Sequence, residues 1–261
     1  MEQLDQTEKR SSKRVGEMVL TFASLITDIL ENDVLEGTAY QKDPGHFYYT
    51  VLHKLRNVLD ASSFLIANLD GKPHYTDSTY LLLRTCLFDV ANLYFVLDKS
   101  EEKEIEQSRI DRIMFDHVRA IYNSAKGDEE ERTAVREAYP DCFNGDKFKK
   151  EILPVNIIIT LNEIDSPSLK NEMDFIIHYY NIFSKIEHNG TLSFDILHAP
   201  YYPLGKIRAT SRIYAAIGTI MKGIVVLIRH VWIHHEDKRV ETMQAFMADI
   251  LEIEWPELNQ L

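Results

Sequence analysis

LLLRTCLFDVANLYFVL, residues 81–97, is the stretch that decides the fold. Only Arg84, Thr85, Asp89 and Asn92 interrupt its apolar side chains. A helix with one apolar stripe lies on a surface, whereas a helix apolar on most sides is surrounded. The run therefore predicts a helix over about 76–97 at the centre of a bundle. Working outward, Val15, Met18, Val19, Phe22, Leu25, Ile26, Ile29 and Leu30 recur at spacings of three and four. That spacing places them on one helical face. Asp43-Pro44-Gly45 breaks the chain, and a second helix is expected from about 47 to 68, ending at the turn Asp70-Gly71-Lys72-Pro73.

Beyond the central run, a fourth helix is predicted over about 101–124. Its stripe is Ile110, Ile113, Met114, Val118 and Ile121, and its glutamate-rich first turn suits the positive end of the helix dipole. Residues 128–139 read as a short polar helix stopped by Pro140. Ile157-Ile158-Ile159-Thr160 has strand propensity, but with no partner strand in view it is assigned to a short helix. Ser166-Pro167 is a helix start, with a capping residue followed by proline at the first helical position, and Asn189-Gly190 is the matching stop. The prolines at 200 and 203 mark a loop, after which a long helix is expected from near Lys206 to about His235 and a short one from 238 to 253. The expectation is an all-α, single-domain bundle of about seven or eight helices spanning residues 1–261, with residues 1–14 a frayed N-terminus.

Hydrophobic residues make up 45% of the 261 and charged residues 27%, enough for a sizeable core. A formal net charge of -12 argues against a global electrostatic grip on nucleic acid, which needs clustered Lys and Arg. A local basic pocket is compatible with it. Cys86 and Cys142 form no CxxC pair and no disulfide framework, as expected for a reducing, cytoplasmic setting. The polar start MEQLDQTEKRSSKR is unlike a signal peptide. IYAAIGTIMKGIVVLIRHVWI, residues 213–233, is long and apolar but carries Lys222, Arg229 and His230, so a buried core helix is expected and no membrane partner. No cofactor motif is present, and none is expected.

Three constellations could carry chemistry. Tyr180, Ser184 and His188 stand four apart and share a helix face, so Ser184 and His188 can hydrogen bond. No nucleophile elbow surrounds Ser184, so a polar network near the helix end is the plainer reading. Arg84 and Asp89 are charges in an apolar helix, where charges are rare unless paired. Five residues apart, they point about 140° from one another. Arg84 is thus either half of an ion pair to another helix or an anion-binding group. Arg229 stands five residues before His234 and six before His235, and Arg112 five before His117. His230 and His234 have a spacing that can bind zinc on a helix, but a third ligand is missing, so no metal is expected.

Two segments resemble a family of bacterial helical proteins: LLLRTCLFDVANLYFVL and YYNIFSKIEHNG, residues 179–190. The family pattern is an arginine in an apolar helix with an acid five residues on, then a tyrosine-rich helix ending in serine with histidine four residues later. It falls on Arg84, Asp89, Ser184 and His188, with aspartate where the family usually has glutamate. The family looks related to the HEPN superfamily (higher eukaryotes and prokaryotes nucleotide-binding). The resemblance implies a helical bundle, often a homodimer, binding RNA or a nucleotide. Many such domains are metal-independent RNases of stress or phage defence. It also implies a site built from Arg84, Asp89, Ser184 and His188. The HEPN signature sets an arginine shortly before a histidine. Ahead of His188 those positions hold Asn181, Ile182 and Phe183, so a neighbouring helix would have to supply the cation, as Arg84 could. The rival expectation is a non-catalytic interaction module with a structural polar cluster.

Overall fold

The computed structural model describes residues 10–33, 44–149, 157–185, 199–256 and 258. Among these there are nine α-helices and one two-stranded ribbon. The helices are α1 (Ser12–Asn32), α2 (Pro44–Ala67), α3 (Tyr75–Leu97), α4 (Lys103–Ser124), α5 (Glu129–Ala138), α6 (Ile157–Glu163), α7 (Pro167–Ser184), α8 (Pro203–Val231) and α9 (Lys238–Leu251). The chain is an all-α bundle, as its periodicity predicts.

Helix α3 is the axis. Every residue from Asp89 to Leu97 is buried, and α2, α4, α6, α7 and α8 all pack on it. The apolar faces of α1 and α8 close the same core, with Val15, Val19, Phe22, Ile26, Ile213, Ile217, Ile220 and Ile224 inside it. Two helices, α3 and α8, are long and apolar enough to cross a membrane, but 72% of the most apolar window of each is buried in the bundle. Burial inside protein accounts for their composition.

α1 and α2 form an antiparallel pair that closes at Gly16. A Cβ at that position would stand 2.6 Å from the Ala67 Cβ and 2.7 Å from the Ser63 carbonyl oxygen. The Asp70 carboxylate accepts hydrogen bonds from the Ser12 hydroxyl (2.7 Å) and backbone N–H (3.2 Å), locking the start of α1 to the turn after α2. Glycine to alanine inside a helix ordinarily stabilises by about 0.5–1 kcal/mol. Here the sign reverses: Gly16→Ala is expected to cost about 1–3 kcal/mol, because two backbones must part. A thermal melt of Gly16→Ala at or above wild type would refute this contact.

The structure departs from the sequence expectation in several places, each for a local reason. The α4 stripe shifts after Val118: Ile121 is exposed and Tyr122 is buried instead. There the helix leaves the main core for a small second cluster with Val135, Cys142 and Phe143. That cluster is capped by the ribbon β1 (Phe143–Asn144) and β2 (Lys147–Phe148), whose turn uses Gly145 at φ +59°. Strands of two residues are too short to show alternation. α8 starts at Pro203, which occupies a first-turn position where its missing N–H costs nothing, so the proline begins the helix and does not precede it. α8 stops at Val231, and the Asp237 carboxylate caps α9 through the Arg239 N–H (2.8 Å). The start of α7 is where Ser166-Pro167 puts it, but the Ser166 side chain makes no capping bond. Asp98 takes that role, accepting from the N–H groups of Asp165 (3.2 Å) and Ser166 (2.8 Å). The expected stop at Asn189-Gly190 lies outside the described residues.

Candidate functional site

α3 and α7 meet along a row of aromatic rings. Tyr80, Arg84 and Phe88 are spaced four apart and form one ridge of α3. Tyr80 stacks on Phe183, with centroids 4.4 Å apart and planes at 21°. Phe88 lies 6.2 Å from the Tyr180 ring. Between them, the half-buried Arg84 guanidinium sits 5.0 Å over the Tyr180 ring and donates to its hydroxyl at 3.2 Å. Cation–π contact and a hydrogen bond thus hold Arg84 on the last turns of α7.

Ser184 is one turn beyond Tyr180 on the same face. Its hydroxyl donates to the Tyr180 carbonyl at 2.6 Å, a bond within its own helix. The structure therefore brings Arg84 and the Tyr180–Ser184 turn to one contact. His188 lies outside the described residues.

Asp89 belongs to another face of α3. Its carboxylate is buried and accepts from Lys54 of α2 at 2.9 Å. Burial pushes Asp89 above the usual carboxylate range, against the Lys54 ammonium and His117, which pull it down. The divergence of residues five apart on a helix separates the partners of Arg84 from those of Asp89.

The other arginine–histidine spacings separate in the same way. Arg112 is held by Glu163 in a two-point ion pair and lies over the Phe95 ring at 5.3 Å, so it is a structural cation. Arg229, His234, His235 and Glu236 line an open groove of about 470 Å³ at the end of α8, where Arg229 donates to Gln244 (3.1 Å). Because α8 ends at Val231, His234 is in a loop, and the helical i, i+4 geometry that made His230 and His234 a zinc candidate does not apply. Among the described residues no three His, Cys, Asp or Glu side chains are grouped to hold a metal ion.

A buried polar network around Arg109 was not anticipated from sequence. Arg109 of α4, itself buried, donates to Asp98 (3.0 Å), to the Phe95 carbonyl and to the Glu163 carbonyl (2.6 Å). Glu106, one turn earlier, is buried against the Tyr48 hydroxyl (2.6 Å) and Lys103 (3.0 Å). A signal was available: Glu106 and Arg109 extend the stripe of Ile110 and Ile113 at spacings of three and four, so charges occupy inward positions. Neither family models, nor curated proteins, nor solved structures gave a match to this chain.

Proposed function

We propose that this protein recognises a nucleotide phosphate through Arg84 and acts as a HEPN-like, metal-independent RNase in bacterial stress or phage defence, in the cytoplasm and as a homodimer. One observation carries the reading. A guanidinium on an otherwise apolar, central helix is delivered, half-buried, to the tyrosine-rich end of α7, one turn from Ser184. That is where the missing local arginine of the resemblance would have to come from. In this reading Arg84 steadies the phosphate and His188 moves the proton. The RNA 2′-hydroxyl attacks the adjacent phosphorus and its proton passes to His188, while the P–O5′ bond breaks to leave a 2′,3′-cyclic phosphate and a 5′-oxygen that takes its proton from water. Asp89, bound to Lys54, holds α3 against α2 and takes no part in the step.

The test is cleavage of mixed RNA by purified protein in EDTA. Cleavage is expected to persist in chelator. His188→Ala should slow it roughly 100-fold or more, the usual contribution of general acid–base catalysis. Arg84→Lys should also slow it, since a point charge does not replace a planar fork. A second reading has its own support: the Ser184 hydroxyl is bound to the Tyr180 carbonyl within α7, and the Tyr180 hydroxyl accepts from Arg84, as in a structural cluster of a non-catalytic interaction module. It requires that wild type cleave nothing and bind no nucleotide, and that Arg84→Lys lower the melting temperature. That pair of results would end the enzyme reading.

A further inference from the structure

Where α7, α8 and the segment after α9 converge there is an open groove of about 360 Å³, within the size range of small-molecule sites. Its lining joins the apolar side chains of Ile250 and Ile253 to three aromatic rings, Tyr179, Tyr214 and Trp255. One charged side chain lines it, Arg212 of α8, and no acidic residue does. In a chain of net charge -12 this is an unusual local balance.

The state of Arg212 gives the groove its chemistry. Its neighbours are phenols: its charge acts on Tyr179 and on Tyr80, whose hydroxyl donates to the Ala209 carbonyl (3.3 Å). No carboxylate among the described residues forms an ion pair with it. The two acids whose charge reaches the surrounding tyrosines are Asp77, acting on Tyr80, and Asp70, acting on Tyr214. Neither lines the groove, and Asp70 is bound to Ser12 and Lys206. Phenols leave the positive charge of a guanidinium uncompensated, and a partly desolvated guanidinium favours an anion. The Tyr179 hydroxyl, on which the Arg212 charge acts, has no hydrogen-bond partner among the described residues and offers the groove a second donor. The Ser211 hydroxyl is spent on the Arg208 carbonyl (2.9 Å) and can only accept, which an anion does not use. Trp255 is fixed from behind: the Arg10 guanidinium lies 5.1 Å over its ring and Tyr214 packs 5.8 Å away. The aromatic wall is therefore in place before any ligand arrives, which limits the ordering cost of binding.

We propose that this groove binds a small planar organic anion, an aromatic carboxylate, with the carboxylate on Arg212 and the ring between Tyr179 and Trp255. This site is separate from the Arg84 contact and does not depend on the RNase reading. The probe is 2-naphthoate, with 2-naphthylmethanol as its neutral counterpart, titrated into the full chain by calorimetry. The indole N–H resonances of Trp255 and Trp232 are followed in parallel and assigned with Trp232→Phe. Expected is one equivalent of naphthoate, a shift of Trp255 with Trp232 unmoved, and the alcohol weaker by about 10-fold or more, the worth of a charge-assisted hydrogen bond. Arg212→Gln should abolish the preference for the anion, and Arg212→Lys should keep part of it. Equal binding of the two probes by wild type, no binding up to their solubility limit, or a shift at Trp232 alone would each overturn the proposal. Wild type decides this even if an Arg212 variant fails to fold.

Discussion

Replacing Arg109 by alanine is expected to lower the unfolding free energy by about 3–5 kcal/mol, the cost of breaking one partner out of a buried ion pair. The number follows from what would be left behind. The Asp98 side chain is 1% exposed and Arg109 8%, so deleting the guanidinium strands a buried carboxylate. It also removes the donor to the Phe95 and Glu163 carbonyls and the cation 4.3 Å over the Phe95 ring. Asp98 in turn caps α7, so the loss spreads from α4 to the helix that carries Ser184. Arg109→Ala combined with Asp98→Ala should cost less than the sum of the single changes, because the second removes the stranded charge. Urea unfolding of the four proteins measures this, and strict additivity would disprove the coupling.

The same pair sets an acid dependence. Burial pushes Asp98 up, but the N–H groups of Ser166 and Asp165 and the Arg109 guanidinium outweigh it and hold the carboxyl below its usual range. A folded value below the unfolded one, near 3.9, means stability that is present above that pH and lost as pH falls through the folded value. Glu163 is depressed too, by its bonds to Arg112. Wild type should therefore lose more stability between pH 7 and pH 3 than Asp98→Asn does. Asp89, shifted the other way, is common to both proteins and cancels in the comparison. Equal acid losses would show that Asp98 is not the titrating group.

Phe183→Ala is expected to cost a further about 3–5 kcal/mol, as large-to-small changes of buried aromatic residues do. Phe183 is fully buried and stacks on Tyr80, with Tyr179 at 6.2 Å. Its removal would empty the contact that clamps the end of α7 to α3, next to the Arg84–Tyr180 bond. Phe183→Leu refills most of that volume and should cost less than half as much. Thermal and urea unfolding of both variants checks the ranking; a loss below about 1 kcal/mol for the alanine change would mean that the site can collapse or was never filled.

Arg84 and Asp89 show how much of the site could be read in advance. That two charges interrupt an apolar helix, and that they diverge about the axis, follows from spacing alone. Spacing does not say which helix lies opposite each of them. The Arg84 partner, Tyr180, is 96 residues away, and the Asp89 partner, Lys54, is 35 residues away in the other direction. His234 shows the limit at a helix end, since one turn of helix fewer than expected is enough to dissolve a metal-site geometry.

By itself the sequence determined the helical class, the central place of the helix that holds 81–97 and the positions of most turns. Helical hydrogen bonds and side-chain faces are set within four residues, so composition and period reveal them. Only the tertiary structure decided that Asp98 rather than Ser166 caps α7, that the inward-facing Arg109 finds its partners in Asp98 and the Phe95 and Glu163 carbonyls, that Asp89 belongs to Lys54, and that Arg212 stands in a groove without an acid. Each of these is a choice of partner between segments far apart in the chain. It is made by how buried polar groups are matched when the helices close on one another, and no local pattern records it.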